Sequence, residues 1–375
     1  MKLSKLKLAN YRNYLELNLE FSDTINIFLG ENAQGKTNLL ESIYVLALTK
    51  SHRTNNEKEL IYFKEKEAFL SAEIERRRGK LPLEIYFTAK GRKTKVNHIE
   101  QKKLSEYIGS LNVILFAPED LEIVKGAPSI RRKFLDMEIS QVNPIYLYDL
   151  VEYQKILKQR NLYFKKRLEK KQALDELYLD VLDEQLADFG AKVILARQKF
   201  IEQLNTWAKE IHHSISGQKE VLKLVYQMSV QSTEKLTIAE NFLIHLKANR
   251  EKDARRLTTS IGPHREDMQF LVNELDVSRF GSQGQQRTTA LSVKLAEIDL
   301  MKEVTGEYPI LLLDDVMSEL DNERQVSLLH AILGKTQTFV TTTTLEHLSE
   351  LNVPAKIFRI ENGQVLSEEV KNNKE

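Results

Sequence analysis

Two apolar runs stand far apart in the chain, and each has the length of a single β-strand. The first includes Ile25, Ile27, Phe28 and Leu29, and the second runs without interruption from Ile310 to Leu313. An uninterrupted apolar run is typical of a strand buried on both faces of a parallel sheet. We therefore expect residues from both ends of the chain to form one α/β fold.

A different pattern fills residues 61–116, where β-rich runs such as 83–87 and 113–116 are broken by Gly79, Gly91 and Asn97. Such runs predict antiparallel strands and hairpins. The basic clusters at 76–78 and 90–95 then fall at or near turns, where solubility is the first interpretation and DNA contact the alternative.

The middle of the chain has helical spacing and no proline between Pro144 and Pro263. We expect two or three long helices whose apolar residues pack between them. The apolar positions that carry this pattern are Leu150, Tyr153, Leu157, Phe164, Leu168, Leu174, Leu177, Val181, Leu186, Val193, Phe200, Leu204 and Ile211.

The loop after the first apolar run has the spacing G-x-x-x-x-G-K-[ST], and a helix-compatible segment follows it. Glycines let backbone N–H groups turn toward phosphate oxygens, and a helix N-terminus favours an anion. Lys36 would reach the β and γ phosphates, and Thr37 would hold Mg²⁺. The alternative, a glycine turn that binds nothing, is disfavoured by the complete match. The predicted nucleotide-binding residues here are Gly30, Glu31, Asn32, Ala33, Gln34, Gly35, Lys36, Thr37 and Asn38.

Two carboxylates follow the second apolar run, at the strand end where parallel sheets bind ligands. Asp314 would complete the Mg²⁺ shell, and Asp315 would orient or deprotonate the attacking water. A lone Asp-Asp pair is more often an ordinary strand end. Beside a phosphate-binding loop it predicts nucleotide hydrolysis, with Lys36 and Asp315 as catalytic residues.

A serine-glycine segment, residues 281–286, opens a helix-compatible stretch from Arg287 to Lys302. Backbone amides and a serine hydroxyl at a helix start can bind phosphate, although most such segments are ordinary N-caps. Its position roughly 30 residues before the Asp-Asp strand favours a second phosphate site. Ser282, Gly284 and Gln285 are its predicted nucleotide-binding residues.

The helical middle separates the two halves of this nucleotide fold. We therefore predict an ATPase head made of residues 1–125 and 255–375, with residues 126–254 inserted as a helical arm.

Composition excludes several classes of protein. The 375 residues include no cysteine, which excludes disulfides and thiolate metal sites, and the apolar runs are too short for a bilayer span. We expect a cytoplasmic protein without membrane contact. The net charge of the whole chain is only +1, but basic residues are concentrated between Lys155 and Lys171. Within this run, Lys165 and Lys166 are candidate DNA contacts. A solvated helix face is an equally good interpretation of the run.

Together these segments resemble the ABC-type ATPase heads of SMC-like DNA-repair proteins, and within that group they are most similar to the RecF family. The resemblance is carried by the phosphate-binding loop, the serine-glycine segment and Leu313 to Asp315. Further matching motifs lie at residues 10–14, 51–54, 116–121, 131–136, 262–267 and 318–321.

The resemblance implies that two heads pair face to face, so that the phosphate loop of one and Ser282 and Gly284 of the other enclose the same ATP. Residues 318–321 match the D-loop that touches the partner, and Arg12 matches an arginine that approaches the nucleotide. Arg53, Arg131 and Arg132 lie in matching motifs and are candidate DNA or nucleotide contacts.

Two positions depart from the broader ABC pattern. The usual catalytic glutamate is the shorter Asp315, and threonines at 341–344 stand where a histidine is expected. Hydrolysis should therefore be slow, and the family's glutamine-loop residue has no clear match.

The function that the resemblance implies is recombinational repair and replication restart. An ATP-dependent homodimer would bind DNA, single- or double-stranded, at gaps or junctions and help to load RecA with RecO and RecR. The alternative is an ABC-type engine of another assembly, such as a transporter or a translation factor. An enzyme that transfers phosphate to a small molecule would need an acceptor pocket, which the sequence does not reveal.

Overall fold

The computed structural model describes residues 1–232, 236–319, 322–345 and 354–371. Its strands are β1 Lys2–Tyr11, β2 Tyr14–Glu20, β3 Ile25–Leu29, β4 Glu67–Arg76, β5 Gly79–Thr88, β6 Gly91–Val96, β7 Ile99–Glu100, β8 Val113–Phe116, β9 Leu222–Gln227, β10 Asp267–Val272, β11 Leu275–Asp276, β12 Ile310–Asp314, β13 Thr338–Thr342, β14 Ala355–Glu361 and β15 Gln364–Lys371. Its α-helices are α1 Lys36–Leu48, α2 Leu104–Tyr107, α3 Leu121–Lys125, α4 Pro128–Val142, α5 Pro144–Glu169, α6 Glu176–Ile215, α7 Ile238–Ala248, α8 Arg250–Arg256, α9 Val277–Phe280, α10 Gln283–Thr305 and α11 Asn322–Ile332.

The central sheet joins both ends of the chain in the strand order β15-β14-β3-β13-β12-β8. Strand β3 runs parallel to β13 and β14, and β12 runs parallel to β13 and β8. Every residue of β3 and β12 is buried. The predicted parallel sheet is confirmed, and the two apolar runs are interior strands of it.

Each face of the central sheet packs against a different layer. Phe28 and Leu312 join the core that α1 shares with the antiparallel strands, whereas Ile27 and Leu313 pack in a second core with Leu291 of α10. Because both faces are covered, the functional groups of the parallel strands are displayed at the edge formed by their carboxyl ends.

A second, antiparallel sheet has the order β2-β1-β4-β5-β6-β7. It confirms the hairpins predicted after residue 61. The prediction was wrong for Val113–Phe116, because this run is β8 and pairs in parallel with β12. A four-residue apolar run has the same pattern in either sheet, and only its partner decides the direction.

The middle of the chain contains the predicted long helices, α5 with 26 residues and α6 with 40. Three of the positions predicted to be core are instead exposed, namely Leu168, Leu177 and Val181, near the connection between these helices. Strand β9 of the predicted arm pairs with β10 of the predicted head, so one small sheet crosses the predicted boundary at residue 254. The division into head and arm therefore stays a prediction. No helix in the described part of the chain is long and apolar enough to cross a membrane.

Candidate functional site

The loop that connects β3 to α1 is tightly constrained. A Cβ atom at Gly30 would lie 2.3 Å from the carbonyl oxygen of Ile360, and one at Gly35 would lie 2.5 Å from Nδ2 of Asn13. Gly35 also has a φ of 113°, in a region that favours glycine. Both glycines of the predicted motif are therefore required by the close approach of neighbouring backbone and side-chain atoms.

The side chain of Lys36 turns back along this loop. Its Nζ donates to the carbonyl oxygens of Gly30 at 2.6 Å and Glu31 at 2.7 Å. Burial lowers the pKa of the Lys36 ammonium, while the carboxylates of Asp315 and Asp314 act in the opposite direction. The cation is thus held inside the loop, next to both predicted aspartates.

Thr37 and Asp314 meet although 277 residues separate them in the chain. The Thr37 hydroxyl donates to Oδ1 of Asp314 at 2.9 Å. These are hard oxygen donors of the kind that Mg²⁺ prefers, so the pair fits the predicted metal site. Since Thr37 lies in the first turn of α1 and Asp314 ends β12, their contact depends on the assembly of the parallel sheet.

Thr341 was not predicted as a functional residue, yet it organises both aspartates. Its hydroxyl donates to Oδ1 of Asp314 at 2.8 Å and accepts from the backbone N–H of Asp315 at 2.9 Å. Asp315 has a φ of 54°, so it leaves the strand in a left-handed turn. Thr341 belongs to the run of threonines at 341–344 that departs from the ABC pattern, and that departure was the available signal.

The turn between β1 and β2 braces the phosphate loop. Asn13 donates through Nδ2 to the carbonyl oxygen of Gln34 at 3.3 Å, and the Tyr14 hydroxyl donates to that of Gly35 at 3.0 Å. Asn38 of α1 donates to Oδ1 of Asn13 at 2.8 Å. The hairpin therefore holds the loop and the start of α1 in one arrangement.

Arg12 lies in the same turn but is committed to another partner. It donates through Nε and Nη2 to the two carboxylate oxygens of Glu41, each at 2.8 Å. Burial opposes ionisation of Glu41, but hydrogen bonds from Arg12 and Ser51 outweigh it and lower the pKa of this carboxyl group. Contact between Arg12 and nucleotide stays a prediction.

A cleft of about 830 Å³ adjoins the start of α1. Asn13, Asn38, Arg53 and Tyr62 contribute to its walls, and Nη1 of Arg53 donates to Oδ1 of Asn38 at 2.9 Å. The cleft has the volume of an ordinary small-molecule site. Arg53 therefore lies beside the phosphate loop, on an exposed edge of the molecule.

The serine-glycine segment caps α10. Ser282 accepts through Oγ from the N–H of Gln285 at 3.2 Å, and its own N–H donates to Oε1 of Gln285 at 2.9 Å. Gly284 accepts through its carbonyl oxygen from Nη2 of Arg324 at 3.2 Å. Within the described ranges, no hydrogen bond joins Ser282, Gly284 or Gln285 to the phosphate loop, and Ser282 is exposed.

Gln285 also links this segment to the end of the arm helix α6. Its Nε2 donates to Oε1 of Glu220 at 2.8 Å, and Oε2 of Glu220 lies 3.1 Å from Nε2 of His212. The other ring nitrogen of His212 lies 3.2 Å from Oγ of Ser292 in α10. This chain of contacts fixes the cap of α10 against α6.

The candidate DNA contacts have different environments. Arg131 is buried and pairs with the carboxylate of Asp267 at 2.6 and 2.8 Å, so its guanidinium has a structural partner. Arg132 donates to the carbonyl oxygen of Glu266 at 2.8 Å, and burial lowers the pKa of its guanidinium. Lys165 and Lys166 are exposed on α5.

One member of the basic run does not fit a DNA-tracking role. Arg160 is fully buried and pairs with Asp183 at 2.7 Å and Asp253 at 2.8 Å. The prediction was wrong for this residue because helical spacing alone does not show which side of α5 faces the core. The D-loop residues Leu320 and Asp321 lie outside the described residues, as do the side chains of Ser318 and Glu319.

The fold and the meeting of loop lysine, threonine and strand-end aspartate define a P-loop ATPase head of the SMC-like ABC type. A Smc head bound to a winged-helix domain of ScpA matches over 99% of this chain and 98% of its own, with a TM-score of 0.55 and 14% identity. That likeness concerns the fold alone.

Sequence comparison narrows this class. The family model described as RecF/RecN/SMC N terminal domain matches residues 2–365. A protein named DNA replication and repair protein RecF from Enterococcus faecalis is 58% identical over 370 residues, covering 97% of this chain and 98% of its own. A protein of the same name from Streptococcus suis is 52% identical over 369 residues, covering 98% and 100%. The chain belongs to the RecF family.

A solved structure agrees with this assignment. The recombination mediator protein RecF, described with ATP in the RecFOR pathway, matches with a TM-score of 0.89 and 35% identity, over 98% of this chain and 97% of its own.

Proposed function

We propose that this chain binds ATP with Mg²⁺ at the loop between β3 and α1. The observation that carries the proposal is the 2.9 Å contact between Thr37 and Asp314, which brings the two halves of a P-loop ATPase site together. The ATP named in the description of the related RecF structure supports it. The adjoining cleft of about 830 Å³ has room for the nucleoside.

Each group has a role that follows from its position. Lys36 would leave the carbonyl oxygens of Gly30 and Glu31 for the more negative phosphates, and backbone N–H groups of residues 31–36 would bind the same oxygens. Mg²⁺, held by Thr37 and Asp314, would neutralise phosphate charge. Asp315 would orient the attacking water.

The second half of each site would come from a second copy of the chain. Ser282 is exposed and lies at the start of a 23-residue helix, whose N-terminal dipole favours the γ-phosphate. Gly284 and Gln285 would approach the same phosphate. ATP would thereby stabilise a face-to-face homodimer, and hydrolysis would release it.

We propose that the homodimer acts in DNA repair and replication. The names of the relatives support this role, and the RecFOR pathway in the description of the solved structure supports RecO and RecR as partners. Binding of single- or double-stranded DNA at gaps or junctions, and help in loading RecA, complete the proposal. Arg53, Arg132, Lys165 and Lys166 are its candidate DNA contacts; the buried Arg131 is not among them.

The proposed organisation is a head of residues 1–125 and 255–375 with an arm of residues 126–254. The separate core around α5 and α6 supports it. However, that core also includes Val293 and Leu300 of α10, so the arm would move with the signature helix rather than independently of it.

Equilibrium binding of a fluorescent ATP analogue tests the nucleotide site. The protein should bind the analogue more tightly with Mg²⁺, and Lys36→Met should weaken binding at least about 100-fold, because the phosphates lose a buried charge-assisted partner. Lys50→Met, just beyond α1 and exposed, is the matched control and should bind normally. Equal binding by Lys36→Met and the unaltered protein would refute the site.

Hydrolysis is tested with Asp315→Asn. The variant should bind ATP but hydrolyse it at least about 100-fold more slowly, and its ATP-bound dimer should last longer. An unchanged rate together with an unchanged dimer lifetime would remove Asp315 from the catalytic role.

A further inference from the structure

A groove of about 520 Å³ lies between the last turns of α5 and the first turn of α6. It is far in sequence from the nucleotide-binding residues, and its walls combine positive charge with aromatic surface. The residues that carry the argument are Lys155, Lys158, Tyr163, Lys166, Arg167 and Tyr178.

The charge of the groove is mostly available for a ligand. Lys158 and Lys166 are exposed, and neither forms an ion pair with any other residue in the part of the chain that the structure describes. Lys155 contacts Glu152 at 3.2 Å, and Arg167 lies 3.7 Å from Asp175, the one acidic residue among the described residues that line the groove. The groove therefore has an excess of positive charge.

Helical geometry arranges these cations in a row. Lys155, Lys158 and Lys166 are three and eight residues apart on α5, so they share one side of the helix over roughly 16 Å. At about 3.4 Å per nucleotide of a stacked strand, that length covers several phosphates.

The aromatic surface of the groove is held in place. The rings of Tyr163 and Tyr178 lie 4.9 Å apart, and the guanidinium of Arg167 lies 5.1 Å from the Tyr163 ring. The Tyr163 hydroxyl accepts from the N–H of Asp175 at 2.6 Å, and the Tyr178 hydroxyl accepts from Nε2 of Gln159 at 3.0 Å. The two rings are tilted by 44° relative to each other, and Tyr178 as a residue is 38% exposed, so part of it is accessible to a further planar group.

The residues around Tyr163 and Tyr178 also depart from an ordinary solvated helix face. Leu162 in the groove is 44% exposed, and Leu177 next to Tyr178 is 80% exposed. Exposed apolar side chains beside an anchored aromatic pair and unpaired lysines indicate a ligand with both anionic and flat apolar parts.

We propose that this groove binds single-stranded nucleic acid, with phosphates on Lys155, Lys158 and Lys166 and a base stacked on Tyr178. A duplex would offer the phosphates but not the base, because its bases are stacked inside the helix and cannot reach a ring in a concave groove. An acidic peptide would use the lysines but leave the ring faces uncovered. The proposal rests on the proposed function and specifies where its single-stranded DNA lies.

Fluorescence anisotropy with a labelled oligothymidylate tests the charge of the groove. In the full chain, Lys158→Glu/Lys166→Glu should weaken binding at least about 10-fold and reduce the slope of log affinity against log salt by about 1.4, for two lost phosphate contacts. The matched control Lys199→Glu/Lys209→Glu makes the same charge change at exposed positions of α6 and should alter affinity less than about 2-fold. Equal losses in both variants would refute the groove as a specific site.

Substitutions of Tyr178 test the stacked base. Tyr178→Ala should weaken binding of the oligothymidylate about 10-fold, while Tyr178→Phe, which keeps the ring, should bind nearly as the unaltered protein does. With an abasic oligonucleotide of the same length, Tyr178→Ala should bind as well as the unaltered protein. Two results would overturn the proposal. An equal loss of affinity for abasic and thymidylate strands in Tyr178→Ala would show a site for anions alone. Polyglutamate that displaces the oligothymidylate equally well from Tyr178→Ala and from the unaltered protein would show a site for an acidic peptide.

ATP-dependent dimerisation, together with DNA binding by the unaltered protein, separates this proposal from the proposed function. The groove variants should retain ATP-dependent dimerisation and lose single-strand affinity. Single-strand binding that is unaffected by every groove variant would refute the groove alone. An unaltered protein that binds no DNA would refute the groove together with the DNA-binding function.

Discussion

At the scale of single residues, the site depends on how one threonine orders two carboxylates. Thr341 fixes an oxygen of Asp314 and the backbone of Asp315, and Thr37 contacts the same Asp314 oxygen. A carboxylate that already accepts hydrogen bonds is oriented before any ligand arrives, and this preorganisation reduces the cost of binding and catalysis. The threonine therefore has a positioning role that the aspartates alone would not reveal.

Thr341→Val tests this role, because valine keeps the shape of threonine and removes both hydrogen bonds. We expect the ATP hydrolysis rate to fall about 10-fold, at unchanged fold, since Asp314 and Asp315 lose their common anchor. Thr338→Val on the same strand, where the hydroxyl contacts only Thr336 among the described residues, is the control. Steady-state ATPase assays that show equal rates for the two variants would contradict the assignment.

Another residue-scale feature is the partly buried His264. Its Nε2 lies 3.0 Å from the Thr259 carbonyl oxygen and its Nδ1 lies 2.6 Å from the Tyr153 hydroxyl, an arrangement that the neutral ring satisfies. Burial lowers the pKa of His264 from 6.5 to about 4. Between these pH values the unfolded chain binds a proton that the folded chain does not, so this residue makes stability fall as pH falls.

The pH dependence of unfolding measures this effect. As pH falls from 6.5 to 4, the free energy of unfolding should decrease by up to about 1.4 kcal/mol per pH unit more in the unaltered protein than in His264→Gln, which cannot titrate there. Urea unfolding of both proteins across this range gives the comparison. Parallel stability curves would contradict the assignment.

At the scale of elements, the arm helix and the signature segment are joined through Glu220. This residue follows α6 and contacts both Gln285 and His212. Because Gln285 also closes the cap around Ser282, the position of the predicted phosphate contact depends on the end of α6. A shift of the arm would therefore be transmitted to the surface that we propose forms the dimer.

Glu220→Ala should weaken this transmission. We expect ATP-dependent dimerisation to weaken about 5- to 10-fold, because the cap loses a partly buried hydrogen bond, while ATP binding by the monomer stays unchanged. Glu210→Ala, at an exposed position of α6, is the control for the lost charge. Sedimentation velocity at several protein concentrations gives the dimer dissociation constants of Glu220→Ala and Glu210→Ala. Identical constants for the two variants would argue against a link between Glu220 and dimerisation.

The helices, strands and loops also differ in how far the sequence could predict them. The phosphate loop and strand β12 were predictable because glycine spacing and continuous apolar runs report local requirements. The parallel direction of β8 and the burial of Arg160 were not, since both depend on partners distant in sequence, β12 in one case and Asp253 in the other. Likewise, the contacts of Thr341 with Asp314 and of Glu220 with Gln285 join residues 27 and 65 positions apart, and sequence spacing does not identify these partners.

At the scale of the whole molecule, the two predicted halves of the nucleotide site lie on different parts of one chain without a hydrogen bond between them in the described residues. In the proposed homodimer, a single copy would therefore provide the loop of one site and the signature of another. Two copies related by a two-fold axis would complete two sites at once, which makes dimerisation dependent on ATP.

Sedimentation of mixed variants tests this central claim most directly. Lys36→Met damages the loop half and Ser282→Arg damages the signature half, so each variant alone should remain monomeric with ATP and Mg²⁺. An equimolar mixture should form a dimer, because one of its two composite sites combines the intact loop of one variant with the intact signature of the other. A mixture that stays monomeric while the unaltered protein dimerises with ATP, or an ATP-dependent dimer of either variant alone, would contradict a site shared between two copies.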